Sequence, residues 1–223
     1  MVVPVHRNAA TVGELADRVA GALAPTGRDF ELLFVDDACP DGSTEALAQI
    51  AARDRRVRVH SLPRNIGQHR AVLHGLSQAR GEWCVILDAD LQDPPEAIPR
   101  LLEVGESGYA AVFAGRRGRY ESRARLLTSR FFKRTLALLA GVPVDAGMFV
   151  ALDRELVRRL LAMPGRRPFM VGMIGYAGLP SASVPVARVR RAQGYSSYDP
   201  RLRASSAARG LAWGLRAAAR RAL

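Results

Sequence analysis

The sequence is short of most features that announce a special environment. Its two cysteines, Cys39 and Cys84, stand far apart with no CxxC spacing. That argues against a disulfide framework and suits a reducing compartment. The start, MVVPVHRN, has no basic n-region and no long apolar h-region, so no signal peptide is expected and a cytoplasmic location is. The longest uncharged stretch covers residues 168–187, and Gly and Pro interrupt it. Its apolar part, Phe169–Leu179, is about half of the roughly 20 residues a membrane span needs, so it reads as a buried or interfacial segment. Aromatic residues are 6% of the chain. With no aromatic platform and no known binding module, nucleic acid is not expected as a partner, despite a net charge of +12. No GxGxxG follows the first strand and no GxxxxGK[ST] occurs, which disfavours a nicotinamide-binding domain and a P-loop NTPase. Lysine is nearly absent: every cation except Lys133 is arginine. Genomic base composition can produce that bias, so single arginines are not read as chosen for bidentate binding.

What remains is a core and an uneven charge. The 223 residues are 48% hydrophobic, enough for one large domain. Residues 1–110 hold 11 Arg against 16 acids, a net of −5; residues 111–223 hold 22 Arg and Lys against 5 acids, a net of +17. The basic half points to phosphates: nucleic acid, anionic lipid or a pyrophosphate ligand, the first disfavoured above. Strand-like and helix-like segments alternate through residues 1–110, from MVVPV and TVGELADRVAGALA to PPEAIPRLLEVGES and YAAVFAG. Such order predicts a mostly parallel sheet with helices on both faces, and ligands in such sheets bind beyond the carboxyl ends of the strands. Thr11 with Glu14 has a capping-box pattern; Ser43 and Asn65 are read as helix caps, and Gly81 as a helix end. In the second half, residues 123–141 read as a basic amphipathic helix, 145–163 as a strand and helix, and SVPVARVRR as a strand. Residues 200–223 read as a basic amphipathic helix with Leu202, Leu211, Trp213 and Leu215 among six Arg. The expected division is a domain over 1–199 with this helix, 200–223, as an extension.

The chemistry concentrates at strand ends. Asp88-Ala89-Asp90 closes the apolar run WCVIL. Two carboxylates at i and i+2 on an extended segment can turn toward one point, and Mg²⁺ or Mn²⁺ takes one or two carboxylates plus substrate phosphates. Gln92 continues the series and adds an amide oxygen. Asp36-Asp37 closes ELLFV, where a carboxylate can accept from a base or ribose. Asp93 and the prolines after it read as a turn before the next helix. His69 and His74 read as surface or core histidines rather than metal ligands. GRRGR (115–119) and RRAQGYSS (190–197) supply Arg116, Arg117 and Arg191, which can neutralise a departing diphosphate.

Taken together, VVPV (2–5), FVDDACPDGS (34–43), NIGQHRAVLHG (65–75), LDADLQDPPEAIP (87–99), DAGMFVALDR (145–154) and RAQGYSSY (191–198) resemble the inverting family-2 glycosyltransferases of GT-A fold. They follow the family's order over about residues 1–200. The similar subgroup is the dolichol- and undecaprenyl-phosphate sugar transferases; NIGQH and DAGM are similar to the undecaprenyl-phosphate aminoarabinose transferases. The resemblance implies a Rossmann-like α/β fold and a nucleoside-diphosphate sugar donor. Pro4, Val5, His6 and Asn8 would line the nucleoside pocket, with Val35 and Asp37 at base and ribose. Gln68, Asp88, Ala89, Asp90, Arg117, Arg191 and Ser197 would complete the donor and phosphate contacts. Asp88, Asp90 and Gln92 would hold the metal. Asp90, Arg117 and Asp145 are the catalytic candidates. Where the family often has Tyr-Asn-Glu, this chain has His6-Arg7-Asn8; Ala38-Cys39-Pro40-Asp41 interrupts its DDGS, and Ser196-Ser197 stands for its Ser-Lys. Many relatives carry C-terminal membrane helices, and none is read here.

The expected reaction is a single displacement with inversion at the anomeric carbon. A lipid-phosphate acceptor is already anionic near neutral pH and needs no strong base. A hydroxyl acceptor needs one, and Asp145 is the candidate. The basic half and the terminal helix fit a protein lying on the cytoplasmic face of an anionic membrane, and so a polyprenyl phosphate acceptor. The alternative is a soluble transferase acting on a small hydroxylated molecule in specialised metabolism. Monomer and homodimer both stay open.

Overall fold

The computed structural model describes residues 1–117, 134–163, 167–188 and 200–221. Strand and helix alternate as β1 (Val2–Val5), α1 (Val12–Leu23), β2 (Leu32–Asp36), α2 (Ser43–Arg53), β3 (Val57–Ser61), α3 (Gln68–Gln78), β4 (Trp83–Ile86), α4 (Ile98–Glu106) and β5 (Ala111–Arg117). Then come β6 (Val150–Asp153), α5 (Arg154–Ala162), α6 (Met170–Ala177), β7 (Ser181–Ala187) and α7 (Pro200–Arg221). The seven strands form one sheet in the order β3-β2-β1-β4-β6-β5-β7. β3, β2, β1 and β4 are parallel, as are β5 and β7; β6 runs antiparallel between β4 and β5. The mostly parallel expectation holds, with β6 as the exception.

Alternation along the strands divides the core into two. Val2, Cys84, Ile86, Phe113, Val150 and Leu152 pack on one face, with Val72 and Leu76 of α3, Leu156 and Leu160 of α5, Met170 and Ile174 of α6, and Trp213 of α7. Val3, Val5, Phe34, Val85, Leu87, Val112 and Ala151 pack on the other, with α1, α2 and α4. This is the period of two that a sheet covered on both faces requires. On α1, Val12, Leu15 and Val19 are fully buried, at spacings of three and four that form one stripe. Each such side chain contributes about 1.5–3 kcal/mol, and Leu15→Ala would cost about 2–5 kcal/mol.

The order of the strands reverses at β1, which has β2 on one side and β4 on the other. β1 and β4 pair only at Val2 and Ile86, with Leu87 N donating to Val2 O at 3.2 Å. The next donor toward β4 would be the N–H of residue 4, and Pro4 has none. The ladder between the two strands stops there, at the switch point beyond which α/β sheets bind ligands.

Several helix ends differ from expectation, at Thr11 and Ser43 because their polar side chains are used elsewhere. Thr11 makes no side-chain cap on α1, and Glu14 pairs with Arg18 instead of closing a capping box. Ser43 is the first residue of α2, after Gly42, and its N–H and hydroxyl both donate to Asp41. α3 starts after Gly67 rather than Asn65 and ends at Gln78, before Gly81. Residues 168–187 are a buried helix, α6, and the strand β7; no helix among the described residues is long and apolar enough to cross a membrane. Of the expected basic helix at 123–141, residues 134–140 are helical and 118–133 lie outside the described residues. α7 buries Trp213 and Ala217, and Trp213 Nε1 donates to Arg167 O at 3.2 Å. Arg216 and Arg220 lie over the Trp213 and Tyr176 rings, and Leu215 is 60% exposed.

Candidate active site

Four loops meet at the carboxyl ends of β1–β4, and each is bonded to a neighbour. Asp36 and Asp37 are 1% and 3% exposed. Asp36 accepts from Cys39 N at 3.0 Å and from Thr44 Oγ1 at 2.6 Å, which fixes a turn whose Ala38 has φ +54°. Asp37 accepts from Ile66 N at 2.7 Å and Gly67 N at 2.9 Å, one bond on each oxygen. Its own N–H donates to Val5 O at 2.9 Å. The carboxylate expected at a ribose is thus already committed to backbone N–H groups at the start of α3. Gly67 enters that helix at φ +86°, a region L-residues rarely adopt.

The β1 loop is tied to the β2 loop. Asn8 N donates to Ser43 Oγ at 3.2 Å and Ala9 N to Asp41 Oδ2 at 3.1 Å. Burial alone would raise the Asp41 pKa, but the bonds from Ser43 and Ala9 hold it below its ordinary value. His6 is exposed at the rim, its Nδ1 3.3 Å from the Asp37 carbonyl and 3.2 Å from Asn65 Nδ2. Pro4 and Val5 pair in register with Val35 and Asp36, so Pro4, Val5 and Val35 floor this corner. Cys39 Sγ donates to Val5 O; burial, then the contact with Asp36, pushes its thiol up to about 12, so it is not a nucleophile.

The acidic segment departs from an extended strand. β4 ends at Ile86, residues 89 and 90 form a turn, and Leu91 has φ +57°. The carboxylates therefore stand on a turn, and the i+2 series does not run on to Gln92 along one extended face. Asp88 and Asp90 are half-buried. Asp88 Oδ1 accepts from Gln68 Nε2 at 2.6 Å, and Asp90 Oδ1 accepts from Gln92 N at 3.1 Å. The Ala89 carbonyl accepts from Thr11 Oγ1 at 2.6 Å. Asp93, expected as a turn residue, is 3% exposed and ion-paired with Arg188 at 3.1 Å, just after β7. Among the described residues no group of three or more His, Cys, Asp and Glu gathers for a metal. Two carboxylates with space for phosphate and water ligands are the set that suits Mg²⁺ or Mn²⁺, not zinc.

Across β6 lies a second polar group. Asp145 sits in a turn before β6, half-buried. Its carboxylate and the Ser183 hydroxyl of β7 converge on Gly115 of β5, where a Cβ would collide with both. Ser183 Oγ is buried without a hydrogen-bond partner. Arg117 ends β5 opposite Ala187. Arg191 and Ser197 lie outside the described residues. His69 is a packed histidine: its Nδ1 accepts from Met170 N at 3.4 Å and its ring meets Phe169 at 5.2 Å. Burial, with Arg209 nearby, pushes its pKa down to about 4.

Sequence reading missed Arg188, Ser183 and the Thr11–Ala89 bond. Arg188 is one arginine in a basic run, Ser183 one serine in a strand, and Thr11 looks like a cap. No local pattern separates them from such ordinary roles.

The glycosyl transferase family 2 model matches residues 1–161. Undecaprenyl-phosphate 4-deoxy-4-formamido-L-arabinose transferase of Pseudomonas aeruginosa (strain LESB58) is 38% identical over 202 residues, 89% of this chain and 60% of its own. An uncharacterized glycosyltransferase of Bacillus subtilis (strain 168), YkcC, is 32% identical over 201 residues, 89% of this chain and 62% of its own. The chain thus spans about three-fifths of the length of these relatives. Glucosyl-3-phosphoglycerate synthase from Mycobacterium tuberculosis, solved with phosphoglyceric acid, superposes with a TM-score of 0.70 at 21% identity, over 98% of this chain and 79% of its own. Mannosyltransferase PcManGT from Pyrobaculum calidifontis, solved with GDP-Man and Mn²⁺, gives 0.62 at 20% identity, over 98% and 72%. These two likenesses bear on the fold, which is GT-A. With an acidic turn beside the switch point of its sheet, a family model covering most of its length and relatives up to 38% identical, this chain belongs to glycosyl transferase family 2.

Proposed function

We propose that this chain transfers a sugar from a nucleoside-diphosphate sugar to a polyprenyl phosphate, with inversion at the anomeric carbon. The observation that carries the reading is the half-buried Asp88–Asp90 segment after β4, beside the β1–β4 switch point, in a chain 38% identical to an undecaprenyl-phosphate sugar transferase. Pro4, Val5, His6, Asn8 and Val35 receive the nucleoside. Asp37 acts from behind them, by holding the start of α3. Asp88 and Asp90 hold a divalent cation, Mg²⁺ or Mn²⁺, which supplies positive charge to the diphosphate as it leaves. Gln92, whose N–H donates to Asp90 Oδ1, would offer that ion its side-chain amide oxygen. Arg117 and Arg191 add charge at the donor or acceptor phosphate.

The acceptor phosphate is anionic near neutral pH and attacks without a base. Asp145, on the far side of β6 from Asp88, then orients the acceptor or the sugar rather than removing a proton. The exposed Leu215 and the arginines of α7 suit peripheral contact with an anionic membrane.

The test is transfer from radiolabelled nucleotide sugars into undecaprenyl phosphate in detergent, with and without Mn²⁺. A lipid-extractable product that needs the metal is expected. Label arriving only on soluble hydroxyl acceptors would overturn the lipid acceptor. Flotation with anionic liposomes tests the membrane contact, and no binding at moderate salt would remove it.

A further inference from the structure

The proposed reaction does not by itself explain the bond between Gln68 and Asp88. Gln68 is the first residue of α3. It could turn to solvent, yet its Nε2 donates to Asp88 Oδ1 at 2.6 Å, across 20 residues of sequence. A neutral amide orients a carboxylate without cancelling its charge, as Arg or Lys would. The bond therefore restricts the rotation of Asp88 without itself adding positive charge to the carboxylate.

Gln68 is itself held. Both oxygens of Asp37 accept from the backbone just before it, at Ile66 N and Gly67 N. Asp37 is 3% exposed, so water competes poorly for these bonds. From the other side, Thr11 Oγ1 donates to the Ala89 carbonyl at 2.6 Å, fixing the backbone next to Asp88. The acidic turn is clamped from α1 and from α3.

We infer that Gln68 is a positioning residue that sets the Asp88 carboxylate for a divalent cation, and that Asp37 is the buried anchor that sets Gln68. The inference rests on the metal-dependent reading above and extends it to residues that do not touch the ion.

Gln68→Met keeps the length of the side chain and removes the donor. Mn²⁺ binding is measured by electron paramagnetic resonance, with Mn²⁺ alone and with UDP or GDP added, beside thermal melting. Gln68→Met is expected to weaken Mn²⁺ about 10–100-fold with little change in melting temperature, and raised Mn²⁺ should restore transfer. Asp37→Asn is expected to weaken Mn²⁺ as well, and Gln68→Met/Asp37→Asn no more than the stronger single change, because the two act in series. Unchanged Mn²⁺ affinity in Gln68→Met would overturn the role of Gln68. Fully additive losses would overturn Asp37 as its anchor. Wild-type protein that binds no Mn²⁺ with either nucleotide would remove the metal reading itself, and this inference with it.

Discussion

At the carboxyl ends of β1–β4 the polar side chains already hold one another: Asp36 with Thr44, Asp37 with the start of α3, Asp41 with Ser43 and Ala9, Asp88 with Gln68. At the end of β5 the reverse is found. Among the described residues Asp145 makes no hydrogen bond or ion pair, and Ser183 Oγ is buried without a partner. Organised groups bind without reorganising, so the first region suits a ligand whose charge must be met in a fixed geometry. A buried polar group without a partner is costly, and Ser183 Oγ is such a group among the described residues. The contrast follows the charge of the sequence: the acidic half builds the finished region, and the basic half contributes Gly115, Asp145 and Ser183.

Four measurements can break this comparison. The largest effect is expected from Asp90→Ala. It should lower transfer about 100–1,000-fold by removing charge held for the leaving diphosphate, and transfer at the wild-type rate would sink the assignment. Asp37→Ala should come next. It strands two N–H groups in a buried place and should cost about 2–3 kcal/mol in urea unfolding. A loss no larger than that of an exposed substitution would mean that these bonds are not structural.

The third concerns His69. In the folded chain it stays neutral down to about pH 4, while the unfolded chain takes up a proton near pH 6.5. Stability is therefore full above pH 6.5 and falls as the pH drops toward 4. By pH 4.5 the loss should be on the order of 2 kcal/mol. Unfolding at pH 7 and 4.5 should show this loss in the wild type and a smaller one in His69→Gln. Equal losses would refute it. The smallest effect is expected from Asp145→Asn. Stability should move by less than about 0.5 kcal/mol, and transfer to lipid phosphate by less than about tenfold. A loss of about 100-fold or more would make Asp145 a general base and point to a hydroxyl acceptor.

The sequence was legible where chemistry and periodicity are local. Acid after an apolar run located Asp36, Asp37, Asp88 and Asp90 at strand ends, where loop N–H and hydroxyl groups are at hand to meet a carboxylate even when it is buried, as Asp36 and Asp37 are. The alternation of strand-like and helix-like segments through residues 1–110 pointed to a sheet with helices on both faces. What was not legible depends on partners remote in sequence. Asp93 looked like a turn residue until Arg188 came to it across the sheet. Thr11 looked like a cap because nothing near it mentions Ala89. β6 follows a stretch of 32 residues after β5, from 118 to 149, and its antiparallel run between β4 and β5 has no short-range signal.

Pro4 has a consequence for how this protein spends its time. A crevice between paired strands is ordinarily an excursion: rungs must break, and the closed sheet competes with every ligand. Here the rung beyond Val2 cannot form, because the atom that would make it is missing from the chain. At this point of the ladder a ligand has no rung to break. Pro4→Ala would return the missing hydrogen and offer the sheet a closed form to visit.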